Sequence, residues 1–415
     1  MQDIWCYIHS LMPMRAAARA ACVSRAFLHS RRCHPNLTFS STTLGLDKKE
    51  YGNDDMAGYF SSRVDQILKK HSGVGVKKLK ALPMKAKYNF PYSFLSNGSG
   101  DSIWNLFLAG CSFCPTAELG WIRSLRKLYL HDVCITGDDL GCVLCNSFAL
   151  EWLEVRYCDG IVCLKVPFLL QRLRYLEVFG LWQARKINIK APNISSFCFE
   201  AGHKVQLSLR ETLQMRNLHI TFSGAVHHTR VKFPSSMPNL KTATIYSSSE
   251  TIDTPILHSK YLHLKKLSIV LSAYDYFSLV SFLDACPSVS QWKMEHRSIF
   301  TDPLDLRKMQ GHQHHKIKRV EILGFTSAKS LIELTCHIVE SITSLERLTL
   351  EACQSSFRCS EPAYKLNKCA PLPRDVLVEA QRAVLAIRTY IEPKVPPMVK
   401  LRVVEPCRIC HDVEL

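Results

Sequence analysis

The chain has 415 residues, 53 Lys+Arg against 36 Asp+Glu for a formal charge of +17, and 47% apolar residues. That length suits two or three domains or one long repeat array, and that apolar share excludes an intrinsically disordered chain. No run of about 18 apolar residues exists, which excludes a helical membrane span, while the charge leaves nucleic acid, an anionic surface and simple solubility open.

Met1–Arg15 lacks the charged-then-apolar order of an export signal, because His9 and Arg15 interrupt its apolar stretch. Residues 1–40 read as a helical hairpin. Ile4, Ile8 and Leu11 share one helical face, Pro13 ends that helix and suits the first turn of the next, and Met14–Cys22 is Ala-rich. Val23-Ser24-Arg25-Ala26-Phe27 comes next, and Pro35 breaks the pattern. Forty residues rarely fold alone, so the hairpin is expected to pack on the rest of the chain or on a partner. Residues 41–75 read as a linker. The Gly73-Val-Gly75 step is too short for a dinucleotide-binding loop.

From there a repeat dominates. Apolar residues recur at i, i+3 and i+5, as in Leu125/Leu128/Leu130, Leu150/Leu153/Val155 and Leu173/Leu176/Val178. The template runs from Ile103/Leu106/Leu108 through Val289/Trp292/Met294 and Ile317/Val320/Ile322 to Leu345/Leu348/Leu350, in steps of 21 to 28 residues. Val76/Leu79/Ala81 is a degenerate first copy. A period of this length with this apolar core is the leucine-rich-repeat signature. Each copy supplies one short strand whose apolar side is buried only by stacking on its neighbours. The expected fold class is therefore α/β, a leucine-rich-repeat solenoid over residues 76–360 with a short all-α hairpin before it.

The return segments vary. Ser327–Thr343 sets Leu331, Leu334, Ile338 and Ile342 on one helical face, and Tyr274–Cys286 does the same with Phe277, Val280 and Leu283. Lys186–Pro192 is too short for more than a turn or an extended strand. Residues 361–415 read as a cap. An amphipathic helix from Pro373 carries the stripe Val376, Ala380, Ala383, Val384 and Ile387, and Val399–Val404 forms a last strand.

Two features together resemble a known family. Ile4, Ile8, Ser10-Leu-Met-Pro13, Ala17 and Val23-Ser24-Arg25-Ala26-Phe27 resemble an F-box, with Phe27 in the aromatic place. With the repeats and the C-terminal Tyr390-Ile-Glu-Pro-Lys segment, the whole chain is similar to grass-type plant F-box/leucine-rich-repeat proteins with an FBD-like end. The resemblance implies a substrate-recognition subunit of an SCF-type cullin–RING E3 ubiquitin ligase. Ile4, Ile8, Leu11, Pro13, Val23 and Phe27 would contact a Skp-type adaptor, and the repeats would bind a target protein. Met1-Gln2-Asp3 stands where F-boxes carry Leu-Pro, so the adaptor contact is expected to be weakened or lost. The alternative is a repeat scaffold for protein–protein interaction that joins no ligase.

Nothing positive supports an enzyme, since no phosphate-binding loop, nucleophile elbow or metalloprotease motif occurs. No cofactor is implied. Cys407-Arg-Ile-Cys410-His411 lacks a second half for a zinc site, and His312, His314 and His315 read as a solvated loop. Eighteen cysteines, mostly single within apolar runs (Cys22, Cys134, Cys198, Cys336), suit buried thiols in a reducing cytoplasm or nucleus.

The register also tests nucleic-acid binding. Residues at i+2, i+4 and i+6 face the concave side of the sheet. Across the eleven copies from Ile103 on, six are cationic (Lys127, Arg156, Lys266, Lys293, Arg319, Arg347) and six acidic (Glu154, Glu177, Glu200, Glu295, Glu321, Glu351), so no phosphate-tracking stripe is expected there. Phe107, Tyr129, Trp152, Tyr175, Phe179 and Tyr246 share that face with Arg156 and form a candidate target-binding patch, or simply stack along the sheet. Residues 1–100 hold 15 Lys+Arg and 6 Asp+Glu, with eight of those cations in Ser62–Lys87 beside Asp65 alone. A nucleic-acid reading would have to use that segment.

Overall fold

The computed structural model describes residues 2–25, 27–28, 34–46, 53–71, 76–82, 88–96, 99–115, 122–209, 212–247, 263, 266–271, 288–291, 298–301, 306–307, 318–352 and 373–406. The helix expected over Tyr274–Cys286, Gly73–Gly75, Lys293, Glu295, the three histidines from His312 and the Cys407–His411 motif lie outside them. The chain divides into two compact units, Met1–Met215 and Arg216–Leu415.

In the first unit, seven parallel strands form one sheet in the order β1 (Asn36–Ser40), β2 (Lys78–Leu82), β4 (Asn105–Ala109), β6 (Lys127–His131), β7 (Trp152–Arg156), β9 (Tyr175–Phe179) and β11 (Ser196–Glu200). The i+3 and i+5 residues of the template become two buried columns. Leu79, Leu106, Leu128, Leu153, Leu176 and Phe197 form one, and Ala81, Leu108, Leu130, Val155, Val178 and Phe199 the other. Each column residue covers its neighbour, so no copy could bury its apolar side alone. Two short strands, β3 (Tyr88–Asn89) and β5 (Cys111–Ser112), pair in parallel apart from that sheet. A further sheet of three four-residue strands, β8 (Cys163–Val166), β10 (Lys186–Ile189) and β12 (Gln206–Leu209), lines the return side. Leu164, Val166, Ile187, Ile189, Leu207 and Leu209 point from it into the core. The earlier return at Gly137–Cys145 is a helix, started by a capping box between Thr136 and Asp139.

Two stretches differ from the sequence expectation. The strand β1 lies inside the segment assigned to the helical hairpin. Leu37 and Phe39 are buried and alternate with Asn36, Thr38 and Ser40, and β1 pairs in parallel with β2. The segment assigned to a linker holds an 18-residue helix, Asn53–Lys70, whose Phe60, Val64 and Leu68 bury one face.

Each main-sheet strand from β4 to β9 leaves the sheet through a left-handed residue: Gly110 (φ 61°), Asp132 (54°), Tyr157 (53°) and Gly180 (66°). Their N–H groups donate to the carbonyls of His131, Arg156, Phe179 and Glu200 on the next strand, at 3.0, 2.8, 2.8 and 3.3 Å. Asp132 and Tyr157 occupy a region that strains L residues, and the ladder on either side holds them there. At Gly180 an added Cβ would lie 2.5 Å from Tyr157 Cδ1.

In the second unit, seven parallel strands come in the order β13 (Asn217–Thr221), β14 (Thr242–Ser247), β15 (Lys266–Leu271), β16 (Ser288–Gln291), β17 (Arg319–Leu323), β18 (Arg347–Glu351) and β19 (Lys400–Val404). The template placed the strand of the Val289 copy later. Val289 instead pairs with Ile269 and Ile322, taking the apolar position those two residues share, and Trp292 and Met294 lie outside the described residues.

The helix Lys329–Ser341 forms where expected and buries Leu331, Leu334 and Ile338. It also buries Glu333, whose carboxylate takes Arg307 Nε at 2.8 Å and Nη2 at 2.6 Å. The cap helix Arg374–Ala386 buries Leu377 in place of the expected Val376, which is exposed; Ala380, Ala383, Val384 and Ile387 are buried as expected. Leu377, Ala380, Val384, Ile387 and Ile391 keep helical spacing on the covered side, and Val376 falls one position off it. The terminal strand β19 leaves Lys400 exposed, a charge that blunts a sheet edge.

Candidate functional site

On the open side of the first unit's sheet, the register sets three further columns. Lys78, Asn105, Lys127, Trp152, Tyr175 and Ser196 form the first, and Lys80, Phe107, Tyr129, Glu154, Glu177 and Cys198 the second. Ala109, His131, Arg156, Phe179 and Glu200 form the third.

Two carboxylates sit side by side at the centre of this face. Glu154 and Glu177 are adjacent across β7 and β9, with side chains only 10% and 9% exposed. Like charges this close and this dry need compensation. Arg156 supplies it, with Nη2 2.6 Å from Glu177 Oε1 and Nε 3.5 Å from Glu154 Oε2. Trp152 Nε1 donates to Glu154 at 2.7 Å, Tyr175 Oη donates to Glu177 at 2.5 Å, and His131 Nε2 lies 3.3 Å from Glu154. Burial, and then the hydrogen bond to Glu177, pushes the Tyr175 hydroxyl well above its ordinary pKa. That proton stays on Tyr175, which keeps it a donor to the carboxylate. Burial raises Tyr129, then the nearby Glu154 charge, and burial raises Glu200. Cys198 on the same face is pushed up to about 11, first by burial and then by Glu177, so its thiol is a poor nucleophile.

The aromatics organise around this centre. Trp152 and Tyr175 stack at 3.7 Å with an interplanar angle of 12°, and Lys127 Nζ lies 5.5 Å over the Trp152 ring. Phe107 meets Tyr129 at 5.7 Å and His131 at 4.8 Å, and Lys80 Nζ lies 5.7 Å over Phe107. Phe179 packs edge-on against Tyr157 at 5.0 Å. Phe107, Tyr129, Trp152, Arg156, Tyr175 and Phe179 are thus brought onto one half-exposed surface. Tyr246 belongs to the second unit, where its ring lies 5.4 Å from His219. Donors and acceptors beside flat rings make a surface suited to polypeptide recognition.

The N-terminal helices present a different surface. Gln2–Leu11 and Met14–Ala20 meet at Pro13, which stands at the N-cap of the second helix and is itself exposed. Ile4 is 60% exposed, Leu11 69% and Val23 80%, and Ile8 and Tyr7 are exposed beside them. Phe27 is half-buried, edge-on to Trp5 at 4.8 Å and to His9 at 5.0 Å.

Among the described residues, no group of three His, Cys, Asp or Glu side chains could hold a metal ion. No helix among them is long and apolar enough to cross a membrane. The described cysteines are free thiols. Cys336 is buried as expected, Cys198 is half-buried, and Cys22 and Cys134 are exposed. Cys134 lies beyond the Asp132 corner, where the alternation resumes one residue out of phase and buries Val133 and Ile135 instead.

A search of curated proteins finds no match. Among solved structures, the chain is similar to the leucine-rich-repeat protein LIC12759 of Leptospira interrogans. That likeness has 13% identity, 69% of this chain and 80% of the other covered, and a TM-score of 0.34, too low to bear on the fold. The At1g61320/AtMIF1 leucine-rich-repeat domain matches residues 55–408, so most of the chain, including every main-sheet strand of both units except β1, falls within one family description. The stacked apolar columns and that match lead to one conclusion: the chain belongs to the At1g61320/AtMIF1 leucine-rich-repeat domain family.

Proposed function

We propose that this repeat protein is the substrate-recognition subunit of an SCF-type E3 ubiquitin ligase, present in the cytoplasm or nucleus and performing no bond chemistry of its own. The N-terminal helices would hold a Skp-type adaptor, and the Trp152–Tyr175 face would bind the target and raise its effective concentration at the ubiquitin-loaded enzyme. One observation carries this reading: Ile4, Ile8 and Leu11 lie on one helical face and are left in water together with Val23. A row of large apolar side chains at helical spacing is what a partner's apolar groove accepts.

The test is capture of a Skp-type adaptor by the full chain at micromolar concentration, with and without a Leu-Pro-containing extension before Asp3. Capture by either form that is lost on Ile4→Ser with Leu11→Ser supports the reading, and failure of both forms rejects it. A second reading, an interaction scaffold outside any ligase, is favoured by Phe27. Its ring is engaged with Trp5 and His9, so part of the surface required for the adaptor already has an occupant.

A further inference from the structure

We propose that a cleft at the strand starts of the first unit binds a phosphate group carried by the target, next to the aromatic face. The proposal rests on the reading of that face as the target site and names the target's chemistry: a phosphorylated peptide segment.

The cleft, about 620 Å³, is lined by Lys77, Arg123, Arg126, Lys127 and Arg172, and Glu151 is the one carboxylate among its lining residues. None of the five cations takes part in an ion pair among the described residues. This contrasts with the sheet beside it, where Arg156 is committed to Glu154 and Glu177. Five like charges around one hollow repel one another, and an anion in the hollow relieves that repulsion. Three are guanidinium groups, whose fork of donors matches phosphate oxygens in pairs.

Two observations point to a peptide rather than a nucleic-acid backbone. Lys127 lines the cleft, and its Nζ also sits over Trp152, which stacks on Tyr175, so the anion site runs directly into the aromatic pair. Beyond that pair lie Glu154 and Glu177, and a chain of successive phosphates would meet these carboxylates. A segment with one phosphorylated residue and an apolar neighbour satisfies both halves.

The experiment uses the full chain on an array of short peptides carrying central phosphoserine, with matched arrays carrying serine or aspartate there. Retention should be about tenfold stronger for phosphoserine than for either match, and lost in Arg126→Glu with Arg172→Glu. Both arginines are exposed, so an unchanged melting temperature checks that the variant folds. Equal retention of serine and phosphoserine peptides, or indifference to the charge reversal, overturns the phosphate site. If Trp152→Ala still weakens retention in that case, the target face survives without it. Inorganic phosphate bound through Arg126 and Arg172, with no peptide retained, keeps the anion site and removes the target reading. Displacement of the phosphopeptide by oligodeoxythymidine at lower concentration than by unlabelled phosphopeptide overturns the choice of a peptide.

Discussion

The open face of the first unit and the N-terminal helices are both candidate contact surfaces, but they are built on opposite terms. On the sheet, the polar atoms of Trp152, Tyr175 and Arg156 are directed to Glu154 and Glu177, and the rings stack on one another. On the helices, Ile4, Leu11 and Val23 are turned mostly to water. The first surface is bonded to itself before any partner arrives, and its contacts contribute to the fold. The second contributes little to the fold, and burying it would contribute roughly 25 cal/mol per Å² of apolar area. Side-chain truncation should therefore destabilise the sheet, whereas on the helices it should affect binding alone.

The largest effect is expected from Arg156→Ala, which leaves Glu154 and Glu177 adjacent and buried without the guanidinium between them. The cost should be about 3 kcal/mol, read as a lower denaturation midpoint, and Glu177→Gln in the same chain should recover much of it. A midpoint unmoved by Arg156→Ala would show that the network is not structural. Next, Gly180→Ala should cost about 2 kcal/mol, from the left-handed backbone and from the Tyr157 ring in the way of the new methyl. Shortening Tyr157 should return only the part due to the ring.

The third expectation concerns acid. Burial lowers the pKa of His9 and of His71; the His34 charge adds to both, while at His71 the bond to the His34 carbonyl opposes it in part. The unfolded chain therefore takes up protons first. Their contribution to stability is complete above the unfolded value of about 6.5 and is lost as pH falls below it. A melting temperature that drops between neutral and mildly acidic pH, and drops less in His71→Gln, is the expected outcome. The smallest change in stability belongs to Ile4→Ser with Leu11→Ser, within about 0.5 kcal/mol, although this pair should remove adaptor capture. A large loss of stability there would erase the contrast between the two surfaces.

The strands are legible in the sequence because one apolar residue at i+3 and another at i+5 recur often enough to exclude coincidence, and Leu128 and Leu130 show the rule in five residues. The strand β1 is not, because His34 occupies the i position and the helical resemblance of the preceding residues extends over it. The Asn53–Lys70 helix is hidden by its polarity, although Phe60, Val64 and Leu68 keep strict four-residue spacing. At the candidate site, Glu154, Glu177 and Arg156 are all legible as inward-facing, but in the sequence they are only charges that cancel. Their pairing comes from register across two strands, which brings residues 23 positions apart into contact. The basic cleft is invisible to the repeat template because Arg123, Arg126 and Arg172 stand before their strands, outside the inward-facing positions.

The left-handed corner that ends the main-sheet strands from β4 to β9 makes the same demand of every copy: one backbone N–H given to the next strand's last carbonyl. Gly110, Asp132, Tyr157 and Gly180 all meet it, so the joint is made by the backbone, with strain where the residue is not glycine. The joint between copies is thereby set by the backbone and not by the residues of the open face. A copy exchanged for another must keep its two apolar columns and its corner, and must match its neighbour wherever side chains pair across copies, as Arg156 does with Glu177. The inward-facing residues outside such pairs, Asn105 and Ser196 among them, are the ones that can vary without disturbing either joint or column.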